Sequence, residues 1–220
     1  TYDQKYADDL NGRIDASSEF GRNNRYAPFW SAGLRWNMDK ENWIKKLNIF
    51  DELVLRATYG VTGTQGFAAY QALQMYSYAN TMRIYQSSDV VGTLLYGMGN
   101  PDLKWQTTNA WNFGIDFTMF NNRFSGRFEY YRKLTKNTVL DYSLAPSIGF
   151  SSIKDNIGNI ANNGYEFNLR YMPLYIPSKQ MNLSIVVNGS HNKNTIKKIS
   201  NAMRSRNEQQ MKADEDNPNK

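Results

Sequence analysis

Three carboxylates of this chain occupy positions where paired acids could hydrolyse a glycosidic bond. Asp116, Glu129 and Glu166 alternate with apolar residues, which is the spacing that places side chains on one face of a sheet. Glycoside hydrolysis also needs a shaped cleft and one acid whose pKa is raised. A charged, hydrated wall requires neither, so we interpret the three acids as wall residues and predict that the protein is not an enzyme.

Other residue types that carry chemistry are scarce. The 220 residues contain no Cys and one His, His191, which excludes thiolate zinc sites and leaves a histidine ligand without companions. The glycines between 60 and 66 lack the Gly-Lys-Ser or Gly-Lys-Thr of a phosphate-binding loop. The acidic triplet 214–216 lacks the Gly and the distal Glu of a calcium loop. We therefore predict no metal and no cofactor.

A tyrosine-rich segment offers contact surface instead. Exposed Tyr among Asn, Gln and Ser suits stacking on sugar rings or docking of a protein surface. The candidate substrate or partner contacts are Tyr70, Tyr76, Tyr78, Tyr85 and Tyr96. A competing interpretation of equal weight is that these rings pack the loop against itself, because so long a loop must bury something to be ordered.

Positive charge is concentrated towards the end of the chain. The formal net charge is +6, from 26 Lys and Arg against 20 Asp and Glu. The basic cluster consists of Lys193, Lys197, Lys198, Arg204 and Arg206. Nucleic acid and anionic lipopolysaccharide are both possible ligands, but charged runs are usually solvated. We predict an ordinary solvated segment and no nucleic-acid partner.

The elements that carry these residues have a period of two, which is typical of β-strands. Between 109 and 119 one face is apolar and the other polar: Trp111, Phe113, Ile115, Phe117 and Met119 against Asn112, Gly114, Asp116 and Thr118. A tight Asn121-Asn122 turn leads into a second strand at 124–131. The alternation recurs near 10–16, 30–37, 53–62, 165–171 and 181–188. The sequence therefore predicts seven strands.

The predicted connections alternate between long and short. Loops cover 17–27, 62–107 and 141–162, whereas 39–51, 120–123 and 173–180 are turns, the first with one helical turn near 43–47. This layout is typical of an outer-membrane barrel. Aromatic residues near strand ends favour the same architecture. So do opposite charges on the polar face of neighbouring strands: Asp116, Arg127, Glu129, Glu166 and Arg170. Alternation alone leaves a second architecture open, a soluble aromatic-rich β-sandwich that binds carbohydrate.

Five segments resemble, in family order, those of SusC/RagA-type TonB-dependent transporters of the Bacteroidetes. They are FGRNNRY at 20–26, LRATYGVTGTQ at 55–65, NPDLKWQTT at 100–108, FNNRFSG at 120–126 with the following Tyr130-Tyr131, and GFSS at 149–152 with NIG at 156–158 and NNGYE at 162–166. Together they cover about residues 12–200. The chain departs from the family pattern at Gln106, where Glu is usual, and at Ile160-Ala161, where Met-Glu is usual.

The resemblance implies an all-β fold: about seven or more strands of a 22-stranded, antiparallel, up-and-down transmembrane β-barrel. Residues 1–193 would form barrel wall, with 63–107 as a long extracellular loop and short turns on the periplasmic side. Residues 194–220 would be a charged loop or helix leading to the rest of the barrel. Because seven strands cannot close such a barrel, and neither end carries a secretory signal or a closing strand, we expect one segment of a longer chain.

The resemblance also implies a function. Members of the family reside in the outer membrane and import nutrients, here glycans or peptides, together with a SusD-like surface lipoprotein. Their partners include outer-membrane lipid and TonB, which contacts an N-terminal region that this sequence does not contain.

Overall fold

A computed structural model describes residues 2–79, 92–176, 181–198, 204–205, 208–209 and 211–212. Its nine strands, in chain order, are β1 (Tyr6–Ala16), β2 (Tyr26–Asn37), β3 (Phe50–Thr64), β4 (Met75–Ala79), β5 (Gly92–Gly97), β6 (Gln106–Met119), β7 (Phe124–Ser143), β8 (Ser152–Ile176) and β9 (Met181–Lys198). Seven of them form one sheet in the order β1-β2-β3-β6-β7-β8-β9, and β4 and β5 form a separate two-stranded sheet. Every neighbouring pair is antiparallel. The predicted all-β, up-and-down topology is confirmed.

Between residues 2 and 79 and between 92 and 176, helical structure is confined to short pieces. The α-helix α1 (Asn42–Lys45) lies in the turn between β2 and β3, where one helical turn was predicted. Single turns of 3-10 helix cover Arg22–Asn24, Met38–Lys40 and Pro146–Ile148. None of the helices in the described part of the chain has the length and hydropathy of a membrane span.

The turn between β6 and β7 is as tight as its asparagines predict. Phe120, Asn121 and Asn122 all have a positive φ, at 56°, 55° and 63°, a conformation that Asn adopts more readily than other non-glycine residues. Two hydrogen bonds tie the turn to residues 49 and 51, and a third closes it, from the backbone N–H of Arg123 to the carbonyl of Phe120 (3.3 Å). The backbone N–H of Asn122 donates to Asp51 Oδ2 (2.9 Å), and that of Phe120 donates to the carbonyl of Ile49 (3.2 Å).

The strands are longer than the alternation predicts. β7 and β8 continue through most of the predicted 141–162 loop, so their connection shrinks to 144–151. The connection after β3 runs from 65 to 105 and contains the β4–β5 hairpin. β9 extends through Lys198, beyond the predicted wall boundary at 193. The long connection predicted at 62–107 is therefore present, but loop was wrongly predicted at 141–162 and from 194 to 198. There the pairing of β7 with β8 and of β8 with β9 satisfies the backbone, despite register shifts such as that between Thr135 and Thr138.

Register aligns the apolar stripes of the seven strands into one face. Residues paired directly across an antiparallel sheet share a face, and one such row reads Asp8, Leu34, Ala57, Phe113, Tyr130, Tyr165 and His191, in which Asp8 of β1 is the one acid. We call this the apolar face and the opposite one the polar face. Trp111, Phe113 and Ile115 are 48%, 48% and 40% exposed. In the described residues no second layer covers the apolar face, as in a barrel wall and unlike a β-sandwich.

Candidate functional site

An ion network spans three strands of the polar face. The Arg56 guanidinium on β3 contacts two acids, with Nε 2.8 Å from Asp116 Oδ2 and Nη2 2.9 Å from Glu129 Oε1. Arg127 Nε lies 2.7 Å from Asp116 Oδ1. Gly114 faces Arg56 in register, and a Cβ at that glycine would lie 3.0 Å from Arg56 Nη2. The absence of a side chain at Gly114 thus makes room for the bridging guanidinium.

The structure brings together only some of the charges that the sequence predicts on this face. Asp116, Arg127 and Glu129 lie in one network, which confirms that part of the prediction. Glu166 is paired in register with Glu129 and makes no ion pair within the described residues. Arg170 Nη2 donates to Met172 Sδ (3.4 Å) and not to an acid. Two of the three candidate acids are therefore bound by guanidinium groups, as in a structural network and not in an acid–base pair open to substrate.

Arg56 is the member of the network that sequence analysis did not single out. Arg56 occupies a polar position in the alternation of β3, and that position is the sequence feature that could have placed it on the polar face. Its partners lie 60 and 73 residues further along the chain. The contact therefore depends on the register of β3 with β6 and of β6 with β7.

Segments of four family-like motifs meet at the end of the sheet that carries the long connections. Phe20 stacks on Trp105 (ring centroids 4.5 Å apart) and packs edge-on against Phe67 (4.9 Å). Leu103 is fully buried with Ala72 and Val139, and Phe67 packs against them. We call these six residues the loop core. Since aromatic pairs and buried aliphatic groups stabilise a loop against solvent, this cluster orders connections that would otherwise be long and open.

Hydrogen bonds tie the same connections together. The indole Nε1 of Trp105 donates to the carbonyl of Asn24 (2.9 Å). The Asn156 side chain accepts from the backbone N–H of Lys104 (2.8 Å) and donates to the carbonyls of Lys104 (2.9 Å) and Asn137 (2.7 Å). Asn156 thus joins the connection before β6 to the β7–β8 pair.

Two glycines in the family-like motifs are required by close packing. A Cβ at Gly21 would collide with the backbone carbonyl of Pro101, and a Cβ at Gly63 would collide with the ring of Phe29. Both positions therefore need Gly for close approach between segments. The glycine spacing that could be mistaken for a phosphate loop serves packing at the exit of β3.

The candidate tyrosines lie beside the loop core and on the β4–β5 hairpin. Tyr70, Tyr76, Tyr78 and Tyr96 are 65%, 62%, 81% and 74% exposed. Tyr76 pairs with Leu95 and Tyr78 with Thr93, so these two rings share a face of the hairpin. Tyr85 lies outside the described residues. Contact with substrate or partner stays a prediction for all five.

Aromatic side chains also cluster on the apolar face. Near the long connections they form a band that comprises Trp30, Tyr59, Trp111, Phe113, Tyr130 and Tyr165, linked by contacts such as Tyr59–Trp111 (4.3 Å). Near the short turns, Tyr6 stacks on Trp36 (6.1 Å). Tyr6 Oη donates to Glu41 Oε1 (2.9 Å), as does Trp36 Nε1 (3.3 Å). The hydrogen bond from Tyr6, reinforced by Trp36 and Lys5, lowers the pKa of the Glu41 carboxyl.

Metal-ligating residues are dispersed. Across the described ranges, no group of three or more His, Asp or Glu side chains is arranged to hold a metal ion. The ring centroids of His191 and Tyr165 lie 5.5 Å apart on the apolar face.

Comparison with known proteins gives one consistent family. Residues 1–208 match the family model described as TonB dependent receptor-like, beta-barrel. The chain is 34% identical over 198 residues to TonB-dependent receptor P3 of Formosa agariphila, covering 90% of this chain and 19% of that protein. It is 31% identical over 186 residues to TonB-dependent receptor SusC of Bacteroides thetaiotaomicron, covering 83% and 18%.

Two solved structures are similar over most of the chain. The RagAB peptide importer in its closed-closed state matches with a TM-score of 0.80 and 29% identity, covering 90% of this chain and 21% of that one. The open-open state gives 0.79 and 29%, with coverage of 89% and 21%. The chain therefore spans roughly a fifth of the length of these proteins.

Proposed function

Because the chain belongs to the family of TonB-dependent receptor-like β-barrels, we propose that it forms part of the wall of an outer-membrane importer. In this proposal the whole protein takes up glycan or peptide oligomers, and its partners are TonB and a SusD-like surface lipoprotein. It is a transporter and not an enzyme.

The observation that best supports this function is the pair of unlike faces on one uncovered sheet. A water-soluble sheet would hide its apolar face under a second layer, whereas a membrane barrel turns that face to lipid. The half-exposed rings of Trp111 and Phe113 fit the second arrangement. The aromatic band near the long connections fits the girdle at which such barrels meet a membrane surface.

The polar face supports a role as the inner wall of the barrel. Side chains of Arg56, Asp116, Arg127 and Glu129 can remain hydrated in a water-filled lumen while their ion pairs hold neighbouring strands in register. The similar TM-scores to the closed and open states of RagAB favour a fixed wall past which other parts of the importer move.

The connections of 17–25, 65–105 and 144–151 emerge at one end of the sheet, and we place that end outside the cell, as in other outer-membrane barrels. This orientation puts the exposed tyrosines of the β4–β5 hairpin where nutrient and surface lipoprotein arrive. RagAB is a peptide importer, and aromatic rings with polar neighbours suit sugars and peptides alike.

Replacing Tyr76 and Tyr78 together with Ala in the full-length protein should weaken capture of the oligomer or of the surface lipoprotein about tenfold, since two exposed rings would be lost from one contact face. Uptake of a labelled oligomer and co-purification of the lipoprotein measure the two effects. Tyr2→Ala, an exposed tyrosine near the short turns (76% exposed), is the matched control. Uptake and co-purification that both match the wild type would contradict the assigned contact role.

A further inference from the structure

Two cationic residues lie on the apolar face within the outer aromatic band, in the row that pairs Tyr59 with Trp111 and Trp111 with Arg132. Arg132 on β7 pairs in register with Asn163 on β8, which pairs with Lys193 on β9. The next row towards the short turns consists of Tyr130, Tyr165 and His191. Because no register shift interrupts the strands between these two rows, Arg132 and Lys193 share the face of the aromatic rings.

A neighbouring cation on the opposite face supports the face assignment. Lys133, the residue after Arg132, has its Nζ 5.1 Å from the centroid of the Tyr131 ring on the polar face. Arg132 and Lys193 are both exposed and make no ion pair within the described residues. No Asp or Glu occupies the apolar face of β6 to β9 from the row of Met119 up to the row of Arg132, so no acid on these neighbouring strands neutralises the two cations from that face.

Position along the strand decides the environment of these charges. A cation on the lipid-facing side of a barrel is costly at the bilayer midplane and nearly free at the interface. Long Lys and Arg side chains also reach from apolar surroundings towards water. Arg132 and Lys193 share a row with Tyr59 and Trp111 of the outer aromatic band. Such a band marks the membrane surface, so the ends of the two side chains lie at the headgroup level of the outer leaflet.

At the headgroup level of the outer leaflet, the group that two cations can bind is phosphate. Arg presents a fork of N–H donors that matches phosphate oxygens, and Lys binds them as a point charge. Two strand spacings separate Arg132 from Lys193, or about 10 Å at about 4.8 Å per strand. This separation suits two phosphate groups of one large headgroup or of two adjacent lipids, while Tyr130, Tyr165 and His191 contact the apolar part beneath.

We propose that Arg132 and Lys193 form a binding site for phosphorylated headgroups of outer-leaflet lipid. The site rests on the proposed membrane function, because it requires the apolar face to meet the bilayer. It is separate from transport, since both side chains lie on the face opposite the ion network of Arg56.

The test uses the full-length protein in nanodiscs and diphosphorylated lipid A as the probe. The double variant Arg132→Gln/Lys193→Gln should bind the probe at least about tenfold more weakly than the wild type, because two cations near an anionic surface are lost. The control Lys133→Gln/Arg170→Gln removes one Lys and one Arg from the polar face and should bind within twofold of the wild type. Free inorganic phosphate should compete poorly, since the ligand is the membrane lipid.

Three outcomes would overturn the site. The first is equal binding by wild type and the Arg132/Lys193 variant, and the second is equal loss in the polar-face control. Both leave the proposed function intact if all variants fold in the outer membrane, which a heat-modifiability gel reports. The third is a wild-type protein that does not enter the outer membrane, which would remove the proposed function and the lipid site together.

Discussion

Phe167→Lys should block assembly of the full-length protein in the outer membrane, whereas Asn168→Lys should not. Phe167 lies on the apolar face between the rows of Tyr165 and Tyr171, in register with Phe128 and Gly189. A lysine on the lipid side costs about 2–4 kcal/mol near the bilayer midplane. The Phe167 ring also covers Gly189, where a Cβ would collide with it, so the substitution loses packing as well.

Asn168 provides a matched control because it is the next residue on the same strand and points to the polar face. It is exposed and hydrogen-bonds Asn188, so a lysine there meets water and costs little. The folded fraction in outer-membrane extracts, measured by heat-modifiable migration, should fall at least about thirtyfold for Phe167→Lys, as 2 kcal/mol requires, and stay within twofold for Asn168→Lys. Equal effects of the two lysines would contradict the assignment of faces.

Phe20→Ala should loosen the extracellular connections without disturbing the strands. Phe20 is 1% exposed and lies between the rings of Trp105 and Phe67. Removing a buried phenyl group typically costs about 3–5 kcal/mol, and here the loss falls on the loop core. The amide of Lys104, held by Asn156, should exchange its hydrogen more than about a hundredfold faster, while amides of β6 and β7 keep their rates.

Tyr26→Ala separates this packing effect from the mere loss of an aromatic ring. Tyr26 is 74% exposed and six positions from Phe20, so its truncation should leave the exchange rate of the Lys104 amide unchanged. Hydrogen–deuterium exchange of the full-length protein in detergent makes the comparison. An unchanged Lys104 rate in Phe20→Ala would mean that the loop core does not hold these connections together.

The sheet was predictable wherever alternation is strict. Between Trp111 and Met119 each side chain type repeats every second residue, and β6 and the turn at 120–123 follow the prediction. Beyond Tyr142 the pattern weakens into Gly, Asn and Ser, and only the pairing of β7 with β8 shows that strand continues. Strand ends were therefore missed where tertiary pairing, and not local propensity, decides the structure.

The site was less predictable because its contacts are distant in sequence. Asp116 and Arg127 face each other across one tight hairpin, and the sequence predicts that pairing. Arg56 reaches the same acid only through the register of β3 with β6. Phe20 meets Trp105 across 85 positions without any shared periodicity. The motifs marked these segments as family-like, but only the folded chain shows that they pack on one another.

Oxygen and nickel-chelate accessibility of spin labels along β6 tests the division into a lipid-facing and a water-facing stripe most directly. This chain has no Cys, so single cysteines at consecutive positions from 111 to 119 can be labelled in the full-length protein, in bilayers, after any cysteine elsewhere is replaced. Labels at odd positions should be reached by oxygen and shielded from the chelate, and labels at even positions should show the reverse. Low accessibility to both reagents at Trp111, Phe113 and Ile115, as in a dry protein interior, would contradict the membrane wall.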